Sequence, residues 1–413
     1  MRTWVLRLAL WATAGSLASL ATAFADDGAS CTKASGDAQI AACTRIITSG
    51  GPRARNLAAA HTNRANAYFR KGDADHALAD YNEAIRLDPK LADAYNGRGN
   101  VYHDLKHDLD RALADYDEAI RLNPKLAYAY NGRGNVYDDK GDRDRAFSDY
   151  TESIRLDPKI AEPHNGLGNV YMAKRDLDHA FADYDEAIRL DPAYAIAYQN
   201  RSHAHLAKGE VDQAVADLDQ AVRVNPNDAN NYARRGGAYL AKGDLDHVIA
   251  DEDEAIRRDP KLEAAYFILG IAALYGGDLA KAQADLSQAN ALDPKDAYAA
   301  IWFDIAGRRN GQPSALSQTS AQVDMTKWPA PVIRMFLGQL PRDAVLAAAD
   351  APEPFTKQGQ VCEANMYGGE AVLRSGAKDD ATRLYKEAAN DCPKDFTEWA
   401  TANLALKALG AAP

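Results

Sequence analysis

The sequence predicts an all-α solenoid, a stack of helical hairpins with no single central core, from three observations. The segment Ala77–Pro89, reading A-L-A-D-Y-N-E-A-I-R-L-D-P, recurs six more times, its last residue falling at Pro89, Pro124, Pro158, Pro192, Pro226, Pro260 and Pro294. The period is 34 residues with one extra between the first two, and a fixed period of that length marks stacked repeat units. Ala77, Tyr81, Ala84 and Ile85 recur at i, i+4, i+7 and i+8, which puts them on one helix face. Finally, an Asp-Pro or Asn-Pro step stops each such helix.

Taken in order, the first 25 residues carry Arg2 and Arg7, an apolar run through Leu20, and Ala23-Phe24-Ala25 ahead of Asp26. This is the pattern of a cleaved secretory signal. Arg7 interrupts the apolar run and no basic stop-transfer flank follows, so no stable membrane span is expected after cleavage, and Gly28-Ala29-Ser30 before Cys31 lacks the leucine of a lipidation site, so no lipid anchor is expected. The expected location is the periplasm of a bacterium, or outside it. Loss of the two arginines takes the formal charge from −11 to −13, because residues 1–25 contain no acidic side chain. Nucleic acid is an unsuitable partner for so acidic a chain.

Cys31, Cys43, Cys362 and Cys392 allow three pairings, match no zinc spacing, and in an oxidising compartment favour disulfides. The local pairs Cys31–Cys43 and Cys362–Cys392 are expected, one at each end of the array. The repeat register puts Cys362 at the start of a first helix and Cys392 at the end of a second, and these are neighbours in an antiparallel hairpin.

Residues 26–57, with Ile40, Ala41, Ile46 and Ile47, suit a short amphipathic helix that caps the array as a degenerate half-repeat. From Ala58 each unit holds two helices, such as Ala127–Lys140 and Asp142–Leu156, with a turn glycine at Gly72, Gly141, Gly209, Gly243 and Gly277. Arg175 and the Lys106-His107 insertion depart from that turn. Ala65, Gly99, Gly134, Gly168, Ser202, Gly236 and Gly270 share one small position in the first helix, and the second helix has two more. Small residues let the helices approach while aromatics fill the space between units.

The succession Tyr130, Gly134, Tyr137, Ala146, Tyr150, Ser153 and Pro158 resembles the tetratricopeptide repeat, and the match runs from Ala58 to Pro294 in seven repeats. The resemblance implies a right-handed superhelix whose first helices line a groove for peptides or partner proteins, and it implies no chemistry. Repeat six departs from it, with Val248 at a small position, Glu252 at the aromatic one and Arg258 at an aliphatic one. A carboxylate in that slot needs a partner or water, so repeat six is expected to be the weakest seam and Glu252→Tyr to raise stability. Asp80, Asp115, Asp149, Asp183, Asp217, Asp251 and Asp285 recur in the second helices. Opposite them stand Arg64, Arg98, Arg133, Arg201 and Arg235, with Leu167 and Leu269 in the other repeats. An ion-pair ladder is expected, structural in role and not one-to-one.

Beyond Pro294 a capping helix occupies residues 295–310, then a linker and short-helix insert 311–360 containing Trp328-Pro329-Ala330-Pro331. Gly368, Gly376, Ala381, Tyr385, Ala388 and Pro393 restore a degenerate repeat within 361–413, followed by a closing helix. This C-terminal part resembles tetratricopeptide adaptor lipoproteins of the bacterial envelope.

Candidate chemistry is sparse. The sequence has no phosphate loop, no HExxH and no nucleophile elbow, and the close pair His203 and His205 points to different helix faces, so neither enzyme activity, a metal nor a cofactor is expected. The inner face of the first helices should carry Asn66, Asn96, Asn100, His103, Asp104, Asn131, Asn135, Asp138, Asp139, Asn165 and Asn169. Such amides can bind the backbone of an extended peptide without reading its sequence. Further along, the same face becomes apolar, with Leu206, Leu240, Phe267, Ile271, Leu274 and Tyr275, and the insert Trp328–Ala349 is expected to cover it. Asn100 and Asn135, as groove amides, are expected to support no core. The function that follows is an exported scaffold or adaptor for protein partners in the cell envelope. The alternative is a peptidoglycan- or glycan-binding accessory factor that uses asparagines, tyrosines and Trp328.

Overall fold

A computed structural model describes residues 27–49 and 54–412, so the signal segment lies outside the described residues. Every regular element among them is helical, and the chain divides after Lys174 into two compact units.

In the first unit, a short helix over residues 27–33 and the helix Gly36–Thr48 are joined by the Cys31–Cys43 disulfide. Hairpins then follow in strict alternation: Ala54–Arg70 with Ala74–Leu87, Ala92–Asn100 with Leu109–Leu122, Ala127–Asp139 with Arg143–Leu156, and finally Glu162–Ala173. The sequence starts each second helix with a capping aspartate. Asp73, Asp108 and Asp142 accept from the backbone N–H three residues on, satisfying a donor the helix itself cannot. Before that cap the chain must turn sharply. Gly72 and Gly141 do so at φ 75° and 77°, while His107 takes the same left-handed turn at 52° with a side chain attached. The extra residue of that repeat is absorbed just upstream, where Val101–Leu105 widens into a π-helical turn. The insertion therefore leaves the spacing of the following helices intact.

Packing in this unit is built on tyrosines held between glycines. Tyr116 is 1 % exposed, and a Cβ added at Gly99 of its own repeat or Gly132 of the next would lie 2.8 and 2.6 Å from its ring. Tyr150 is held in the same way by Gly134 and Gly166. The recurring small residues are thus the space that each aromatic fills on both sides.

The expected ion pairs form and do more than pair. In the first unit, Asp80 and Asp149 receive two guanidinium hydrogen bonds each, from Arg64 and Arg133, at 2.7–2.8 Å. Asp115 is bound likewise by Arg98. The third nitrogen reaches back to the preceding repeat, Arg98 to Asn82 at 2.6 Å and Arg133 to Asp117 at 2.7 Å. Each arginine therefore ties two successive second helices together, a geometry the planar fork allows and an ammonium would not.

The second unit repeats the scheme through Leu177–Leu190, Ala195–Lys208, Val211–Val224, Ala229–Lys242, Leu245–Arg258, Glu263–Gly276, Leu279–Leu292 and Ala297–Arg309. Arg201 and Arg235 bind Asp217 and Asp251 and reach back to Asp185 and Asp219. Opposite Leu269 the ladder fails, and among the described residues Asp285, its carboxyl raised by burial, meets only Lys281 Nζ, at 3.3 Å. After the short helices Ala330–Phe336 and Arg342–Ala348, the chain closes with Pro354–Leu373, Lys378–Asp391 and Thr397–Ala408. Cys362 and Cys392 are bonded with Cα atoms 4.8 Å apart. Cys362 lies within the helix Pro354–Leu373 and not at its start, because that helix begins earlier than the repeat register implies.

Candidate functional site

Along the inner stripe of the first unit, the structure divides the predicted residues into three groups. Asn66, Asn100 and Asn135 serve the core: their carbonyl oxygens accept the hydroxyls of Tyr81, Tyr116 and Tyr150, the latter two at 2.7 and 2.9 Å. This corrects the expectation that Asn100 and Asn135 support no core. A buried phenol needs an acceptor at the end of its ring, and burial raises the pKa of Tyr81 and Tyr116. Replacing both Asn100 and Asn135 by alanine is therefore expected to destabilise by about 1–2 kcal/mol per tyrosine left without an acceptor. Urea melts should show this, and adding Tyr116→Phe and Tyr150→Phe should restore most of it.

The sequence itself holds the signal for this pairing. Within the seven repeats of Ala58–Pro294, those with tyrosine in the second helix have asparagine in the first. Those with Leu218, Glu252 and Leu286 have His203, Gly237 and Ile271 instead.

Asn96, Asn131 and Asn165 form the second group, one turn before the tyrosine acceptors. Asn131 is 9 % exposed, Asn165 is buried and Asn96 half-buried. The side-chain oxygens of Asn96 and Asn131 are shut off from solvent and have no hydrogen-bond partner among the described residues. Asn169 is half-buried.

The third group is acidic and joins two repeats. His103 is hydrogen-bonded at both nitrogens to carboxylate oxygens, Nδ1 to Asp104 at 2.5 Å and Nε2 to Asp139 of the next repeat at 2.7 Å. Its pKa is raised, first by Asp104 and also by Asp139, against the lowering effect of burial. Asp138 is half-buried with its carboxyl raised by burial. The nearby lysines are engaged outside this group, Lys106 with Asp75 and Lys140 with Asp110.

The second unit treats its inner face differently. Leu240, Ile271 and Leu274 are buried, and the expectation that the insert Trp328–Ala349 covers them is corrected: the closing helix Thr397–Ala408 packs against Ala229–Lys242 and Glu263–Gly276. Leu404 lies against Gly243, and Lys394, Phe396 and Ala400 line a cleft with His203, Leu206 and Ile268. The reason is reach. A 12-residue helix spans about 18 Å, enough to cross two first helices, whereas the seven-residue insert helices span about 10 Å. The insert packs instead on Ala297–Arg309 and Pro354–Leu373, where Trp328 Nε1 donates to the buried Glu363 at 2.7 Å. An ionic clamp fixes the start of the closing segment: Asp395 meets Arg175 at 3.0 Å and His203 at 3.3 Å, and Arg175 stacks on Phe355 at 3.6 Å. His205 turns away to Glu210 at 2.7 Å, so the two histidines share no ligand. Among the described residues no cluster of metal-ligating side chains occurs, and no helix is long and apolar enough to cross a membrane.

Comparison with known families agrees with this geometry. Models described as TPR repeat match residues 65–106, 105–141, 168–209 and 202–243, and one described as tetratricopeptide repeat matches 127–160. The chain carries tetratricopeptide repeats. Such repeats build scaffolds for protein–protein interaction. No curated protein is significantly similar in sequence. Among solved structures, the Cut9–Hcn1 hetero-tetramer of the APC/C is 16% identical over 65% of this chain and 52% of that one, with a TM-score of 0.55. This chain thus spans about half the length of that relative, and the likeness is one of fold. A tetratricopeptide repeat protein from Parabacteroides merdae is 17% identical over 62% of this chain and 99% of that one, with a TM-score of 0.47. YrrB, described as a TPR protein with an unusual peptide-binding site, is 24% identical over 45% and 95%, with a TM-score of 0.33.

Proposed function

We propose that this protein is an exported, non-catalytic scaffold of the cell envelope that holds an extended segment of a partner protein along the inner stripe of its first unit. The observation that carries this reading is the acidic group Asp104, Asp138 and Asp139, which spans two successive tetratricopeptide repeats, is joined through His103, and is reachable from solvent. Carboxylates grouped on one stripe attract and orient a basic segment of a partner by charge. Export is supported by the signal pattern of residues 1–25 together with two disulfides, a chemistry of oxidising compartments. Trp328, which a glycan-binding reading would use, has its indole N–H committed to Glu363.

The test compares capture from envelope extract by the wild type and by Asp104→Lys with Asp138→Lys. Asp104 is exposed and Asp138 half-buried, and Asp104 also holds His103, so melting should change by no more than about 1–1.5 kcal/mol, the size of one such contact. Partner capture should fall at least about tenfold. Retention of isolated cell-wall glycan, with undiminished protein capture by the variant, would reject the proposal.

A further inference from the structure

We infer a second, separate binding site in the second unit, one that takes an aliphatic monocarboxylate. A cavity of about 480 Å³ opens between the helices Ala297–Arg309, Ala330–Phe336 and Pro354–Leu373 and the end of Thr397–Ala408. Sites that enclose small molecules typically measure roughly 300–1,000 Å³ and are mostly apolar with a few placed polar groups. Here the apolar wall is Ile305, Phe336, Leu373 and Leu409, and the polar groups include three arginines, Arg308, Arg309 and Arg374.

Two of these charges are already neutralised. Arg308 Nε donates to Asp304 at 2.6 Å, and its Nη2 donates to the Phe336 carbonyl at 3.3 Å. Arg309 Nη2 lies 2.6 Å from both oxygens of Glu370. Glu370 also accepts the Tyr385 hydroxyl at 2.8 Å and the Tyr275 hydroxyl at 3.3 Å. Asp304 and Glu370 are buried, so both pairs are fixed parts of the wall.

Arg374 is different. It is exposed at the rim, and among the described residues its guanidinium has neither an ion pair nor a hydrogen bond. The cavity therefore presents one uncompensated positive charge beside an apolar wall, in a chain whose net charge is −11. An anion without a tail would leave that wall in contact with water, an uncharged hydrocarbon would leave the guanidinium unused, and a cation would be repelled. A carboxylate on an aliphatic chain satisfies both features, because guanidinium binds carboxylate through two parallel hydrogen bonds.

The experiment is calorimetric titration of the full-length protein with decanoate, and separately with acetate and decyltrimethylammonium. Decanoate should bind at one site and the other two should not. Arg374→Gln should weaken decanoate about tenfold, the size expected for one charge-assisted contact. Ala408→Trp, at an exposed position on the cavity lining, should block decanoate without lowering the melting temperature. Absence of decanoate binding would overturn the assignment, as would equal binding of decyltrimethylammonium. So would an Arg374→Gln protein that melts earlier yet binds decanoate as before, since Arg374 would then serve only as a cation at a helix C-terminus.

Discussion

Glu252→Leu is expected to stabilise the protein by about 3 kcal/mol, the sum of removing a buried polar group without partners and burying an aliphatic side chain in its place. Glu252 is completely buried, and among the described residues neither carboxylate oxygen has a hydrogen-bond partner. Its neighbours in register, Leu218 and Leu286, show that leucine fills this slot, at 1 % and 0 % exposure. Tyrosine, the substitution suggested by the other repeats, is the poorer choice. Gly237 stands where Asn66, Asn100 and Asn135 accept the tyrosine hydroxyl, so Glu252→Tyr would bury a donor without an acceptor.

The same residue makes stability depend on pH. Burial, with Asp251 and Asp253 beside it, raises the Glu252 carboxyl well above its ordinary value of 4.5. The folded state then holds a proton that the unfolded state releases. Its contribution is fully present below pH 4.5 and is lost as pH rises from there toward the folded pKa. Denaturant midpoints measured at several pH values should show this decline in the wild type and its reduction in Glu252→Leu. A variant no more stable than the wild type would mean that Glu252 has a partner in solution.

Removing the Cys362–Cys392 bridge, by Cys362→Ala with Cys392→Ala, is expected to cost about 3–4 kcal/mol in the chain-entropy account. The closed loop runs over 30 residues. It holds the helix Pro354–Leu373 to the turn after Lys378–Asp391, from which the closing helix departs across the inner face of the second unit. Loss of the bridge should therefore loosen that helix first. Hydrogen exchange should show earlier exchange in residues 397–408 than in the hairpins of the first unit.

The parts of this architecture that are legible in the sequence are those whose contacts are local and repeated. Arg98 and Asp115 are 17 residues apart, and the same pairing returns at nearly the same separation along the array, so pattern alone reveals it. The clamp between Arg175 and Asp395 spans 220 residues and occurs once, and no periodicity can announce it. That is why sequence proximity points to the adjacent insert as the cover of the apolar inner face, whereas the distant closing helix provides it. The inner-face asparagines share one pattern in the sequence and so read as having one role. Structure separates Asn100 and Asn135, which serve the tyrosines, from Asn96 and Asn131, whose oxygens remain unpartnered among the described residues, because a shift of one helical turn decides which neighbour is within reach.

The most direct test of the scaffold assignment is site-specific photo-crosslinking in the intact protein. A photoreactive residue placed at Asp139, on the inner stripe, is compared with one at Arg121, an exposed position on a second helix. The account predicts that position 139 captures a partner protein from envelope extract and position 121 does not. Capture from position 121, with none from 139, would contradict it.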